Sequence, residues 1–225
     1  MAVTPDTQRF ARRVGGDVGE GIAAILGSAL TLQARTGSLS PEDESALRAT
    51  LAEQAQRLAA LIEQLLDLSR LGAEAVPVRR ERWRVRELVE QTLAEIAPDQ
   101  REKVDVQVDP ELEVNADPIV FGRILSNLVT NALRHGATPI HLIGAVGEIG
   151  GELQLVVEDA GDGVPDDVRS RIFEEFSRSD RSAEMPGSGL GLAIARSYAH
   201  AHGGELVLDQ NGTRGARFRL VLPAS

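Results

Sequence analysis

Four short blocks rich in glycine, asparagine, aspartate and phenylalanine follow one another in the second half of the chain. Asparagine amides and aspartate carboxylates offer oxygen atoms to a ligand or cation, and glycines let a ligand approach the backbone closely. Each block lies where a helix or strand is predicted to begin or end. One block alone is a weak signal, but the four in this order predict a pocket for a nucleoside triphosphate. The blocks are Asn127-x-x-x-Asn131, Asp159-Ala-Gly-Asp-Gly163, Phe173-x-x-Phe176 and Gly187-Ser-Gly-Leu-Gly191.

The first block lies on a helix predicted over residues 118–134. Asn127 and Asn131 are four residues apart and therefore share one face of that helix. An Asn carbonyl is a neutral oxygen ligand suited to Mg²⁺, which takes few protein ligands and leaves the rest to phosphates and water. The plainer alternative is a polar helix face that binds nothing. Two basic residues follow on adjacent flanks, and the first of them is expected to reach a phosphate: Arg134 and His135.

The second block begins at Asp159, where an apolar strand predicted over 152–158 ends. A buried carboxylate at this position can accept a hydrogen bond from an exocyclic amino group such as that of adenine. Gly161 and Gly163 would let the backbone approach the ring. The alternative is an ordinary turn built from aspartate and glycine.

The last block precedes a helix predicted over 189–202, and a glycine-rich helix N-terminus offers free N–H groups to an anion. It is not a Rossmann fingerprint or a P-loop, since no apolar strand runs into it and no Gly-Lys-Ser/Thr follows. The polar residues 177–186 have the composition of a mobile lid hinged at Phe173 and Phe176. Arg178 in this segment is expected to reach the phosphates, unless it is simply a solvated loop residue.

The elements upstream are two long helices, predicted over 8–35 and 41–71. Ser40 offers an N-cap oxygen to the second, whose leucines recur every seven residues. Two helices cannot enclose so wide an apolar stripe, so the hairpin predicts a symmetric dimer that forms a four-helix bundle. Five glycines interrupt the first helix, which indicates either close backbone packing or the loss of a former role.

The remaining pattern predicts an α+β domain in which helices cover one face of a mixed sheet. We place the boundary between a dimerisation hairpin, residues 1–74, and an ATP-binding domain, residues 75–225. The expected elements are a helix near 85–97, strands near 103–109, 112–115, 139–146 and 152–158, a short helix near 166–172, and a hairpin of strands 205–209 and 215–222 turned at Asn211-Gly212.

The composition of the 225 residues excludes several classes of function. A net charge of −10 without a basic tract argues against nucleic acid as a partner, and the lack of cysteine excludes disulfides and thiol chemistry. The four histidines are scattered through the second half, which argues against a histidine metal site. With no apolar run that could span a bilayer, we expect a cytoplasmic protein or the intracellular part of a longer sensor.

Residues 117–222 resemble the catalytic and ATP-binding domain of sensor histidine kinases, which belong with gyrase and Hsp90 to one ATPase superfamily. The four blocks match the N, G1, F and G2 boxes in order, and the upstream helices resemble the dimerisation helices of the same family. The resemblance implies ATP and Mg²⁺ as cofactors, a homodimer, and a response regulator or histidine-containing phosphotransfer protein as partner. It implies that Asn131 holds Mg²⁺ and that the ATP site comprises Asn127, Asn131, Arg134, His135, Asp159, Gly161, Gly163, Arg178, Gly187, Gly189, Leu190 and Gly191.

One part of the family pattern is missing. Counted back from Ile25-Leu-Gly27, the acceptor box His-Glu-x-x-Thr-Pro-Leu falls on residues 16–22, where Gly16 occupies the histidine position and Asp17 the acidic one. The first 134 residues contain no histidine. We therefore expect a Mg-ATP-binding protein of two-component signalling that does not phosphorylate its own dimerisation helix and acts on a partner in trans, or hydrolyses ATP slowly. The alternatives are a non-catalytic scaffold or phosphotransfer adaptor for a response regulator, and an anti-sigma-type serine kinase.

Overall fold

The computed structural model describes residues 5–35, 38–71, 77–147, 151–175, 177, 189–209 and 215–223. The chain forms two compact units, Met1–Ser69 and Arg70–Ser225. The boundary predicted between residues 74 and 75 lies outside the described residues, as does the predicted turn at Asn211-Gly212. None of the described helices combines the length and the hydropathy that a membrane span requires.

The first unit consists of two long helices, α1 (Pro5–Ala34) and α2 (Pro41–Leu71), which confirms both predicted helices. The start of α2 follows from its sequence, because the hydroxyl oxygen of Ser40 accepts the N–H of Asp43 at 3.1 Å. Three acidic residues occupy the first turn, where the positive end of the helix dipole stabilises their negative charge.

The second unit is built around a five-stranded mixed sheet in the order β2-β4-β5-β7-β6. Only β2 and β4 pair in parallel, and the other neighbours are antiparallel. The strands of this sheet are β2 (Val104–Val108), β4 (Ile140–Val146), β5 (Leu153–Glu158), β6 (Glu205–Leu208) and β7 (Arg217–Leu222); the helices are α3 (Val85–Ala94), α4 (Pro98–Arg101), α5 (Pro118–His135), α6 (Asp166–Arg169) and α7 (Gly191–Ala201).

A separate two-stranded sheet differs from the sequence prediction. The strand predicted near 112–115 forms as β3 (Glu113–Ala116), but it pairs with β1 (Glu81–Arg84) rather than with the main sheet. The sequence analysis missed β1, since its arginines resembled a linker. The helix predicted near 85–97 ends at Ala94, and Pro98 begins the separate short helix α4.

Helices α5 and α7 cover one face of the main sheet, as predicted, and α3 packs against α5 and β1. Alternate residues of the central strands point to that face and are buried, whereas the residues between them include the charged Glu158, Arg217 and Arg219. On the charged face, Arg217 of β7 pairs with Glu158 of β5 at 2.8 Å. The large, fully buried side chains of the core include Ile140, Leu142, Leu155, Leu206 and Phe218 from the sheet, and Leu88, Phe121, Ile124, Leu125, Leu128 and Ile194 from the helices.

Candidate nucleotide site

The asparagines of the first block lie on the half-buried flank of α5. Asp117 caps this helix, since its carboxylate accepts the N–H groups of Ile119 and Val120. Asn127 donates its side-chain N–H to the carbonyl of Arg123 at 2.9 Å, which leaves its amide oxygen directed away from the helix axis. Asn131 lies one turn further along the same face of α5.

The start of α7 lies against Asn127. A Cβ atom added to Gly191, the first residue of α7, would come within 2.9 Å of the Asn127 amide oxygen. Leu190 before it is buried, and Gly189 has a φ of +71°. Leu190 at the N-cap provides no capping side chain, and the first N–H groups of a helix have no acceptor within the helix. The N block and the G2 block therefore meet, with main-chain donors beside an amide oxygen.

Asp159 lies at the end of β5 and is buried, as the sequence predicted. Its Oδ1 accepts the N–H of Gly161 at 2.8 Å. Among the residues that the structure describes, no donor lies within hydrogen-bonding distance of Oδ2. A buried carboxylate with one oxygen engaged and one available is an acceptor for an amino group of a ligand.

Two glycines that the sequence analysis did not single out make room for Asp159. A Cβ atom on Gly136 would lie 2.4 Å from the Asp159 carboxyl carbon, and one on Gly215 would lie 1.7 Å from its carbonyl oxygen. Gly136 directly follows α5, so its contact brings the C-terminal end of that helix next to Asp159. The sequence could have predicted that a helix ends at Gly136, because glycine often follows the last helical residue. It could not have predicted the contact with Asp159, which lies far along the chain.

The remaining predicted residues differ in their placement. Arg134 and His135 occupy the exposed last turn of α5, and Gly163 has a φ of +77° in the loop after β5. Arg178 and Gly187 lie outside the described residues, as do Phe176 and most of the predicted lid.

The first phenylalanine of the third block serves packing in this structure. The Phe173 ring meets Phe218 of the core edge to face, with ring centres 6.2 Å apart. The guanidinium carbon of Arg196 on α7 lies 5.1 Å from the centre of the Phe173 ring. These contacts hold Phe173 against the core and against α7.

The described residues contain no group of three or more histidine, cysteine, aspartate or glutamate side chains that could hold a metal ion. A cation at this site would therefore depend on an amide oxygen, such as that of Asn131, and on oxygens supplied by the ligand.

The predicted acceptor position lies in the first unit. Gly16 is exposed on α1, and a Cβ atom added there would have no other atom within 4 Å. Asp17 follows it on the same helix, and its side chain lies outside the description. The backbone here is regular helix, and Gly16 offers no side chain that could accept a phosphoryl group.

Three comparisons with known proteins agree with this geometry. The chain is 35% identical to the signal transduction histidine-protein kinase AfsQ2 of Streptomyces coelicolor over 83% of its own length and 34% of that protein. It matches the mycobacterial sensor histidine kinase MprB at 30% identity and a TM-score of 0.55, covering 64% of this chain and 97% of that structure. It also matches full-length ShkA, crystallised with AMPPNP, at 25% identity and a TM-score of 0.65, covering 96% of this chain and 45% of the other.

The chain thus spans about a third of AfsQ2 and less than half of ShkA. The sequence pattern of the family described as histidine kinase-, DNA gyrase B-, and HSP90-like ATPase matches residues 116–225, which contain every residue of the nucleotide site described above. The chain belongs to this family and contains the ATP-binding catalytic core of a histidine kinase.

Proposed function

We propose that the second unit binds Mg-ATP and that the chain transfers the γ-phosphoryl group to a partner protein rather than to its own first helix. The observation that carries the ATP assignment is the buried Asp159 carboxylate, whose Oδ2 accepts no hydrogen bond from the described residues. The neighbouring Gly136 and Gly161 have no side chains that would fill the space beside it. An adenine amino group donates a hydrogen bond to such an acceptor. The AMPPNP bound by ShkA supports the same assignment.

The phosphates are proposed to bind at the start of α7, next to Asn127 on α5. The first N–H groups of α7 and the positive end of its dipole favour an anion, and Gly191 places them next to Asn127. Asn131 on the same face is the proposed ligand of Mg²⁺. The further residues that we assign to ATP binding are Arg134, His135, Gly161, Gly163, Arg178, Gly187, Gly189 and Leu190.

The phosphoryl acceptor is the part that the chain lacks. In the proposed reaction an imidazole nitrogen of the partner attacks the γ-phosphorus, the bond to the β-γ bridging oxygen breaks, and ADP leaves. Positioning and charge neutralisation supply most of the catalysis in such transfers. Gly16 has no nucleophile, so the N-terminal unit retains the proposed roles of pairing with a second copy and of presenting a docking surface to a response regulator.

Calorimetric titration with Mg-ATP tests the binding half of this proposal. We expect the unmodified chain to bind, and Asp159→Asn to weaken binding by about 10-fold or more, because an amide NH₂ placed against the adenine amino group repels it. The matched control is Asp162→Asn, an exposed residue three positions further along the same loop. Absence of binding by the unmodified chain would favour the scaffold alternative.

Incubation with γ-labelled ATP tests the transfer half. We expect no acid-labile label on the chain alone, and label on a histidine-containing phosphotransfer partner when one is added. Strong self-labelling of the unmodified chain on a histidine would contradict the proposed transfer in trans.

A further inference from the structure

The N-terminus of α5 and the C-terminus of α7 meet at a buried cluster. We call it the helix-end latch and define it as the side chains of Arg80, Asp117 and His202 with the main-chain N–H of Arg79. His202 is 1% exposed. Its Nε2 accepts the main-chain N–H of Asp117 at 3.1 Å, and its Nδ1 lies 3.1 Å from the carbonyl oxygen of Tyr198. Because a main-chain N–H can only donate, Nε2 carries no hydrogen and the ring is a neutral imidazole that donates from Nδ1.

Every polar group of Asp117 is hydrogen-bonded, either within the latch or in the first turn of α5. Its Oδ1 accepts the N–H groups of Ile119 and Val120 and so caps α5. Its Oδ2 accepts the N–H of Arg79 at 3.0 Å, and its own N–H is the donor to His202. A side chain with this many bonds cannot move without breaking several of them at once.

Arg80, which directly follows Arg79, contributes the remaining hydrogen bond of the latch. Its guanidinium donates to the carbonyl oxygen of His202 at 2.7 Å. Residues 79 and 80 therefore bond to both helix ends, the first through Asp117 and the second through His202. In the sequence this segment comes shortly after the helical unit.

The latch lies one helix length from the phosphate end of the proposed site. A helix rises about 1.5 Å per residue, so α5 covers about 15 Å from Asp117 to Asn127 and α7 about 16.5 Å from Gly191 to His202. The two helices run antiparallel, because Asp117 meets His202 at one end and Asn127 meets Gly191 at the other. With nearly equal lengths between the two contacts, the latch sets the register of α7 along α5.

We propose that the latch is a positioning element of the nucleotide site: by fixing the register of α7 it holds Gly191 against Asn127, and so aims the free N–H groups of α7 at the phosphates. This inference rests on the proposed Mg-ATP binding. Release of the latch lets α7 shift along α5, and a shift of one residue is about 1.5 Å, half the length of a hydrogen bond.

The test is calorimetric titration of the full chain with Mg-ATP. His202→Phe keeps a ring but removes the acceptor at Nε2, and we expect the Kd to rise about 2- to 30-fold, the range found for residues that couple to a distant site. His202→Gln offers an amide oxygen near the position of Nε2 and should return the Kd to within about twofold of the unmodified chain. The control His200→Phe changes an exposed histidine two residues earlier and should leave the Kd unchanged.

A second pair of variants covers the case in which His202→Phe does not fold. Arg80→Ala removes the bond to the His202 carbonyl from an exposed segment outside the core, and should raise the Kd in the same direction. Arg79→Ala removes the same charge one residue earlier but keeps the N–H that Asp117 accepts, so its Kd should not change.

The outcomes separate the two proposals. If the unmodified chain does not bind Mg-ATP, the proposed function fails and this inference fails with it. If the unmodified chain binds and either Arg80→Ala or folded His202→Phe binds equally well, the latch is only structural and the inference alone is overturned. A lower Tm with an unchanged Kd is the signature of that second result.

Discussion

The contact between Gly191 and Asn127 depends on the absence of a side chain at position 191, which lets the start of α7 approach α5 closely. The Asn127 amide is held by its bond to the Arg123 carbonyl, so its oxygen cannot swing aside without losing that bond. A Cβ atom at position 191 would come within 2.9 Å of this oxygen, which is closer than real Cβ contacts. A larger residue at the start of α7 would therefore require the Asn127 side chain or the start of α7 to shift.

We predict that Gly191→Ala reduces Mg-ATP affinity by about 10-fold or more, because either Asn127 or the start of α7 must move. The control is Gly122→Ala on α5, where an added Cβ would lie at an ordinary 3.5 Å from the Thr92 hydroxyl. That change should leave the Kd unchanged and raise the free energy of unfolding by about 0.5–1 kcal/mol, the usual gain for alanine within a helix. Calorimetry measures the first quantity and denaturant unfolding the second. Equal affinities for the two variants would contradict the role given to Gly191.

Gly16 allows the opposite kind of experiment, in which a function is added. Because no atom lies within 4 Å of a Cβ atom placed there, Gly16→His should fold without strain. We predict that the variant acquires an acid-labile label at position 16 when incubated with γ-labelled ATP, whereas the unmodified chain does not. Gly16→Ala is the matched control, since it also replaces the glycine with a better helix former but adds no imidazole. No label on a Gly16→His variant that binds Mg-ATP would show that the chain has lost more than the acceptor.

At the scale of elements, the helix-end latch makes the stability of the second unit depend on pH. Burial, opposed by the bond to the Tyr198 carbonyl, lowers the pKa of His202 below its ordinary value of 6.5. Charged neighbours act in both directions, since Arg80 lowers this pKa and Asp117 raises it. The unfolded chain then binds the proton more readily than the folded one. The stability due to neutral His202 is complete above about pH 6.5 and is lost as the pH falls toward the folded-state pKa.

We therefore predict that the free energy of unfolding of the second unit falls below pH 6.5 by at most about 1.4 kcal/mol per pH unit on account of this residue. Trp83, the single tryptophan, lies in this unit and gives a fluorescence signal for urea unfolding at pH 5 to 8. His202→Gln removes the titrating group, so the difference between the two curves isolates its contribution. Parallel curves for the two proteins would exclude His202 as the source of any acid sensitivity.

The elements that the sequence predicted best are those with chemical start signals. Ser40 before Pro41 and Asp117 before Pro118 mark the starts of α2 and α5 at the residues where the structure has them. Alternation of apolar residues likewise located β4, β5 and β7, because one face of each strand is buried. These signals are local, so a single sequence is enough to read them.

The features that the sequence did not reveal depend on partners far away in the chain. β1 has four residues, three of them charged, and exists because β3, about 30 residues later, pairs with it. Gly136 matters only because Asp159 packs against it, and the Asp117–His202 bond joins residues 85 positions apart. The predicted blocks thus mark the ends of the proposed site, whereas the contacts that hold those ends together required the structure.

At the scale of the whole molecule, the described part of the first unit exposes a row of apolar side chains. Ile22, Leu26 and Leu30 recur every four residues on α1 and are 43–61% exposed, and Ile62 and Leu66 of α2 are exposed to a similar degree. A second copy of the same hairpin would cover them, and each leucine fully buried in this way stabilises the pair by about 1.5–3 kcal/mol.

We predict that the chain has twice the 24.1 kDa mass of one copy in solution, and that the double variant Leu26→Glu with Leu30→Glu has the mass of one. Each dimer would otherwise bury four carboxylates in an apolar bundle, and the cost of removing them from water exceeds the gain from the remaining contacts. The control is Val146→Glu, which places one such carboxylate on an equally exposed apolar residue of the second unit, 62% exposed on β4. Sedimentation equilibrium measures the mass, and titration with Mg-ATP shows whether the second unit remains folded. A dimer that survives both leucine substitutions would place the contact between copies on another surface.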